Sequence, residues 1–408
     1  MKPSTAQTAE NLYKIVYNLE GVRNPIFNQA GLDRAADTLA AQMASAGLSV
    51  RDQVFYLEGC PTPFRNIEGS LGLTVDQPAV VLMAHYDTVD VSPGANDNAA
   101  GCAVLVEVGR ALAQMDNPPP VYIVAVTLEE SKSNPLIYGL ERQSALERGV
   151  IASNGQFTSW ANARLKQSVE KRAMAIYERG QSQGEGYRTA MEELDSELTP
   201  ELRRHIIDII PLYEGITVET SIGQRSRIGS HRWLQAAIAE EKHIAYNITV
   251  DEPGIYSDAP FSQGLLGAFG FDVFTHRYGL DEANRVGNFV FIATNHNSGG
   301  IGQVFSGHCR SPEINLLYGW VDVPLTFTQI AHSLPQGLGS DHAAFWQADI
   351  PAMFLFDSST ARDPWVHTPA DTIDKINFDR LACFTHAVTA TIADLGLVKT
   401  HYTGMEEA

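Results

Sequence analysis

The chain has 408 residues, 44% of them apolar, enough for one large α/β domain with an insertion or for two domains. Its net charge of -19 argues against non-specific nucleic-acid binding and against docking on an anionic membrane surface. No run approaches the ~18 apolar residues of a membrane span, the N-terminus has no apolar signal core, and Cys60, Cys102, Cys309 and Cys383 form no C-x-x-C pair, so the expectation is a cytoplasmic protein with reduced thiols.

In chain order, residues 10–48 carry apolar residues at three-to-four spacing and predict helix,. A strand pair is expected at VFYLEG (54–59) and FRNIEGSLG (64–72), followed by the continuous apolar run VVLMAHYD (80–87), which reads as a buried strand,. A helix over 99–112 and a second buried strand, VYIVAVTL (121–128), complete a βαβ unit and with it a parallel sheet,. From 132 to 227 the chain turns polar and helical, without strand patterns. This predicts an inserted helical subdomain, long enough to cover a site as a lid or to mediate a homo-oligomer. The α/β pattern resumes with a helix from Ile228 to Lys242, then IAYNITVDEPG, NFVFIATN, a short helix and strand over 338–359, a loop at His367 and a closing helix from Phe378 to Leu395. The domain reading is therefore an α/β unit of residues 1–131 and 228–408 interrupted by the insertion 132–227. Its fold class is a three-layer sandwich with a mixed, mostly parallel central sheet.

Parallel strands end on one sheet edge, where open α/β sheets handle ligands. The strand ends here offer His85 and Asp87, Glu129 and Glu130, Asp251 and Glu252. Asp97 lies in the loop after the first of these and His367 in a late loop. Imidazoles and carboxylates are zinc ligands in kind, and the Asp87 carboxylate is placed to accept the second ring N–H of His85 and orient it. Such a set can hold two divalent ions bridged by one carboxylate, activating a water. Of the adjacent Glu129 and Glu130, one can reach a metal and the other serve as general base. Read alone, Asp97 between two asparagines is a turn and helix cap. No G-x-S-x-G elbow, H-E-x-x-H or P-loop occurs, which disfavours those chemistries.

The segments HYDTV, SPGANDNAAG, LEES, IGSHRW, VDEPGIYSDAPFSQ, GSDHAAFWQADIPA and VHTPADT, in this order, resemble the zinc-dependent aminopeptidase family of bacterial leucyl aminopeptidase and aminopeptidase Y. Glutamate carboxypeptidases and glutaminyl cyclases are relatives of that family. The resemblance covers residues 60–131 and 228–395 and not the insertion. It implies a zinc-exopeptidase fold and two Zn2+ per chain. It also implies that His85 binds one metal, Asp97 bridges both, Glu130 and His367 serve the second, and Asp251 completes the first. Glu129 would be the general base, Asp87 would orient His85, and Ser340, Asp341 and His342 would stand behind the ligands, the last two near the metal site. The implied reaction is hydrolysis of N-terminal residues from a peptide or amino-acid-amide substrate. Glutaminyl cyclase-like acyl transfer, which resembles a one-zinc version of the same site, is the alternative. A non-catalytic relative acting as an interaction module is a third. The long insertion after Glu130 and the residues Ser131 to Pro135 depart from simple members, so pocket walls and specificity do not carry over.

Overall fold

The computed structural model describes residues 4–74 and 77–397. The ends assigned above to the α/β unit, 1–3 and 398–408, lie outside the described residues. Helices α1 (Thr5–Leu19) and α2 (Gln29–Ser45) open the chain. The side chains of Ser4 and Asn28 accept the N–H groups of Gln7 and Gly31 and so cap their first turns,. A hairpin follows, β1 (Ser49–Phe55) antiparallel to β2 (Phe64–Leu71). The first of these sits earlier than the strand expected at 54–59. It is a polar edge strand, Ser-Val-Arg-Asp-Gln-Val-Phe, without the apolar alternation that would mark it. The residues after it turn at Gly59, whose φ of 78° is the left-handed conformation glycine tolerates,.

Strand β3 (Ala79–His85), a turn at Ala95–Ala100, helix α3 (Gly101–Ala113) and strand β4 (Val121–Val126) form the expected βαβ unit. Every residue of β3 and β4 is buried, as a strand covered on both faces requires,. The chain then leaves the sheet as α4 (Tyr138–Glu147), α5 (Trp160–Tyr177), α6 (Gln183–Glu193), α7 (Pro200–Ile209) and the one-turn α8 (Val218–Ser221). It returns through α9 (Ile228–Ala239) to β5 (Ile244–Val250), β6 (His276–Tyr278), β7 (Val290–Thr294), α10 (Gly299–Cys309) and β8 (Tyr318–Asp322). It closes with α11 (Phe327–Ser333), α12 (His342–Gln347), β9 (Ala352–Phe356) and α13 (Phe378–Leu397).

The nine strands make one sheet in the order β1-β2-β4-β3-β5-β9-β7-β8-β6. Its centre, β4-β3-β5-β9, is parallel; both flanks bring in antiparallel pairs, β1·β2, β2·β4, β7·β9 and β6·β8. The sheet is therefore mixed, with parallel pairing concentrated where the strand ends meet. Alternation along β3 assigns the two faces: Val80, Leu82 and Ala84 join the core under α1, α2, α3 and α13. Ala79, Val81 and Met83 join a second core under α9, α11 and α12, built around Trp233 and Phe345,. This is a three-layer α/β sandwich.

The α4–α7 helices carry an apolar cluster of their own, including Leu165, Val169, Tyr187, Leu202 and Ile206. Polar groups are buried with it: Lys166 pairs with Glu141 at 3.0 Å and with Glu170, and the Tyr213 hydroxyl donates to Glu141 at 2.6 Å. His205 is also buried, with Nδ1 3.0 Å from the Ser144 hydroxyl. Burial, helped by the nearby Lys166 charge, pushes its pKa down to about 4. His205 is thus neutral in the fold but charges below its ordinary value of about 6.5 when unfolded. The stability it contributes is complete above pH 6.5 and declines as pH falls toward 4. Urea titrations at pH 7 and pH 4.5 are expected to show a loss of stability in acid that is smaller in His205→Asn.

Candidate metal centre

Three strand ends and two loops deliver the site. His85 is the last residue of β3, Asp251 follows β5 directly, and Glu129 and Glu130 stand just beyond β4. Leu128 (φ 57°) turns the chain outward before the glutamates, and His367 itself has φ 59°. Left-handed backbone at non-glycine residues is held only where the surroundings over-determine it. Asp97 sits in the turn between β3 and α3.

Six of the expected residues converge. His85 Nε2 is 3.2 Å from Asp97 Oδ1 and 3.1 Å from Asp251 Oδ1. His367 Nε2 is 3.0 Å from Asp97 Oδ2 and 3.2 Å from Glu130 Oε1. The two oxygens of Asp97 therefore face two different imidazoles. Each imidazole nitrogen has two anionic oxygens near 3.1 Å and at most one proton to share between them. Glu130 Oε1 is shielded from solvent and makes no hydrogen bond. Ligand atoms about 2.1 Å from a tetrahedral ion lie about 3.4 Å from one another. His85, Asp97 and Asp251, and likewise Asp97, Glu130 and His367, offer donor atoms within 4.8 Å of each other. Both triads fit a divalent ion, with Asp97 common to the two. Glu129 lines the same cavity without belonging to either triad.

The electrostatics follow from this crowding. Burial alone would push His85 down; Asp251, Asp87 and Asp97 outweigh it and the net shift is well upward. Glu130, with Asp97, raises His367 to about 12 against a smaller opposing effect of burial. Burial pushes Glu129 well above the ordinary carboxylate range, and Asp341, Glu130 and Asp251 push the same way against His85. The protein's own cations do not balance its buried carboxylates.

The remaining expected residues are placed as follows. Asp87 meets the His85 ring mainly through its backbone carbonyl, 3.2 Å from Nδ1; its carboxylate stands at 3.6 Å. That carboxylate instead accepts the backbone N–H groups of Glu129 and Glu130, at 3.1 and 3.2 Å, and the Ser133 hydroxyl at 2.7 Å. It holds the glutamate pair more than the imidazole. Asp341 is buried beside Glu129, and burial raises it to about 7. His342 turns away from the ligands: its Nε2 lies 2.9 Å from the Gly337 carbonyl and its ring stacks on Phe354.

Of the supporting residues, Ser340 belongs to the segment expected behind the ligands, whereas Asp371 and Arg23 had no role in the sequence reading. Asp371 accepts the N–H groups of Asn96 and Asp97, at 2.8 and 3.1 Å, and fixes the turn that presents Asp97. The Ser340 hydroxyl donates to Asp251 at 2.7 Å. The buried Arg23 guanidinium donates to five carbonyls, those of Leu19, Gly21, Tyr86, Pro93 and Gly94. Asp371 and Ser340 lie inside the HTPAD and SDH segments, so a signal existed for them; Arg23 had none.

The profile of Peptidase family M28 matches residues 66–203 and 319–392, together just over half of the chain. Escherichia coli (strain K12) YfbL is 34% identical over 140 residues, which is 31% of this chain and 42% of YfbL. The chain thus matches less than half the length of that relative. Among solved structures, the Legionella pneumophila LapA aminopeptidase superposes with a TM-score of 0.55 at 14% identity, over 95% of this chain and 72% of that one. A Bacteroides thetaiotaomicron glutaminyl cyclase superposes with a TM-score of 0.55 at 16% identity, over 97% and 99%. At these identities the likeness is one of fold.

Asp87→Ala leaves two buried N–H groups and a hydroxyl without their anionic acceptor. The expected loss is about 3 kcal/mol, read as a lower urea midpoint at unchanged slope. Asp87→Asn, which keeps one acceptor oxygen, is expected to lose less.

Proposed function

The chain belongs to peptidase family M28, and from that premise we propose that it is a two-metal aminopeptidase with Glu129 as its general base. The observation that carries this reading is Asp97, whose two carboxylate oxygens face the His85 and His367 imidazoles separately. A one-ion acyl transferase needs no such shared carboxylate. Zinc suits the donor set of two imidazoles and three carboxylates. The same two triads also favour a catalytic relative over a non-catalytic interaction module, because neither lacks a donor.

The residues divide the work by position. His85 and Asp251 would hold one ion and Glu130 and His367 the other, with Asp97 common to the two sets. The Nδ1–H of His85 donates to the Asp87 carbonyl, leaving the Nε2 lone pair for the metal,. Ions held there would supply Lewis-acid chemistry, polarising a substrate carbonyl and acidifying a bound water. Glu129 takes the proton from that water and returns it to the leaving amine. Its carboxyl is buried among other carboxylates, which raises its affinity for a proton and suits it to this relay,. The Asp87 carboxylate fixes the Glu129 backbone so that the base does not swing away.

The cavity above the site has a volume of about 400 Å3 and is closed on one side by the inserted helices. That space takes a residue or two and favours attack near a peptide end. The substrate class we assign is short peptides and amino-acid amides with a free N-terminus. The four cysteines are free thiols, which supports a reducing, cytoplasmic setting.

Metal analysis of the purified protein, together with a panel of aminoacyl-anilides before and after chelation, tests the reading. About two zinc ions per chain and chelator-sensitive release of the N-terminal residue are expected. One ion with cyclisation of N-terminal glutamine would replace this reading by the acyl transferase. No bound metal after supplementation would replace it by the non-catalytic module. Glu129→Gln is expected to keep its metal while kcat falls about 10²- to 10⁴-fold. Asp97→Asn, which weakens the one carboxylate common to both triads, is expected to lower occupancy of both ions.

A further inference from the structure

Part of the cavity wall is supplied by the segment that ends the insertion, and two arginines line it, Arg225 and Arg227. Their state differs from that of the arginines whose charge is already partnered within the fold. Arg51, Arg65, Arg148, Arg188 and Arg203 are paired with carboxylates. The guanidinium of Arg23 is saturated by carbonyls. Among the described residues, neither Arg225 nor Arg227 has a carboxylate within ion-pairing distance, although the cavity they share is lined by acidic side chains. Arg227 donates from Nη2 to the Ser221 hydroxyl at 3.2 Å, while its Nε is shielded from solvent with no acceptor. Arg225 lies over the Tyr213 ring, 5.8 Å from its centroid.

The backbone ties this pair to the chemistry. Arg227 N–H donates to the Glu129 carbonyl at 2.8 Å, and Ile228 N–H to the Leu128 carbonyl at 2.9 Å. Arg227 has φ 52°, so a non-glycine residue is held in the left-handed region at the cavity wall. Its guanidinium is therefore within one side chain of the proposed general base. A shielded guanidinium N–H with no acceptor leaves a charge-assisted hydrogen bond unmade. The planar fork of arginine matches a carboxylate bidentately. With a chain charge of -19, an anionic substrate is repelled at long range, and a local pair of cations is what reverses that at the wall.

We propose that Arg227, with Arg225 two residues upstream, binds a carboxylate of the substrate, so that this chain acts on short peptides carrying a free carboxylate close to the scissile bond. The proposal rests on the peptidase reading and names its substrate class. The carboxylate can be the terminal one of a dipeptide or an acidic side chain next to the cleaved bond, and the two are separable.

With the zinc-loaded protein and the preferred N-terminal residue X from the anilide panel, kcat/KM is compared in two matched pairs. These are X-Gly against X-Gly-amide, and X-Asp-amide against X-Asn-amide. A preference of roughly tenfold to a hundredfold for the acid, carried by KM, is expected in the first pair for a terminal carboxylate or in the second for a side chain. Arg227→Gln is expected to bring that ratio close to one, and Arg227→Lys to restore part of it. Because each ratio is read within one protein preparation, a loss of folded enzyme cancels. Should Arg227→Gln not fold, Arg225→Gln is expected to lower the same ratio. Equal cleavage of acid and amide by the unmodified enzyme, or an unchanged ratio in Arg227→Gln, overturns the proposal. If no peptide is hydrolysed, the peptidase reading fails by itself. The carboxylate site is then read by calorimetric titration of the zinc-loaded protein with X-Gly, X-Gly-amide, X-Asp-amide and X-Asn-amide, where equal affinity within both pairs overturns it.

Discussion

A surplus of buried carboxylate is the constraint on which the rest of the structure turns. Asp97, Glu129, Glu130 and Asp251 are all buried at one sheet edge, with His85 and the half-exposed His367 as their immediate cationic partners. Taking charges out of water costs several kcal/mol each unless they are paired and hydrogen-bonded. The fold meets part of that cost with fixed donors, such as the Ser340 hydroxyl on Asp251. It leaves the inward-facing oxygens of Asp97, Asp251 and Glu130 crowded against imidazole nitrogens. Divalent cations would balance such a set, and in the proposed reading the mutual repulsion of these groups is relieved by what they bind.

Holding mutually repelling groups in register takes a rigid frame, and the chain supplies it through buried backbone contacts. Arg23 ties the end of α1 to the loop after β3, so the turn that carries Asp97 cannot drift from the strand that carries His85. Asp371 reaches from the late loop of His367 to the N–H groups of Asn96 and Asp97 and couples the two halves of the centre. The Asn96 side chain donates to Asp357 and Asp363 and accepts from Gly254 N–H, binding the same turn to the segments after β5 and β9. Apart from the Arg23 bond to Leu19, each of these bonds spans more than sixty residues of sequence. The geometry of the centre is in that sense a property of the whole α/β unit.

The inserted helices stand in a different relation to the chemistry. They have their own apolar cluster and their own buried ion pair, and they contribute part of the cavity wall rather than the two triads. Their last segment returns to the sheet beside Glu129, so the wall and the proposed base are joined by backbone hydrogen bonds. In the proposed reading, a frame that carries the metal centre and a separately cored wall that meets the substrate can vary with little mutual interference.

The buried parallel strands were legible in the sequence because continuous apolar runs bounded by turn residues have few other solutions. The chemistry-bearing residues at their ends were legible because residue type and order leave a local mark: His85, Asp97, Glu129, Glu130, Asp251 and His367 were all singled out from the chain. The strand expected at 54–59 lay later than β1, and periodicity was silent on β6 and β8; these strands are short or polar and are defined by their neighbours in the sheet. It was silent too on the four antiparallel pairings at the flanks. Only the tertiary structure decided that Asp97 turns one oxygen to each imidazole, that the Asp87 carboxylate serves the glutamate backbone more than the histidine ring, and that His342 faces away. The physical reason is one of range. Local sequence sets burial and backbone preference, whereas ligand geometry depends on hydrogen bonds between segments that meet only when the sheet has closed.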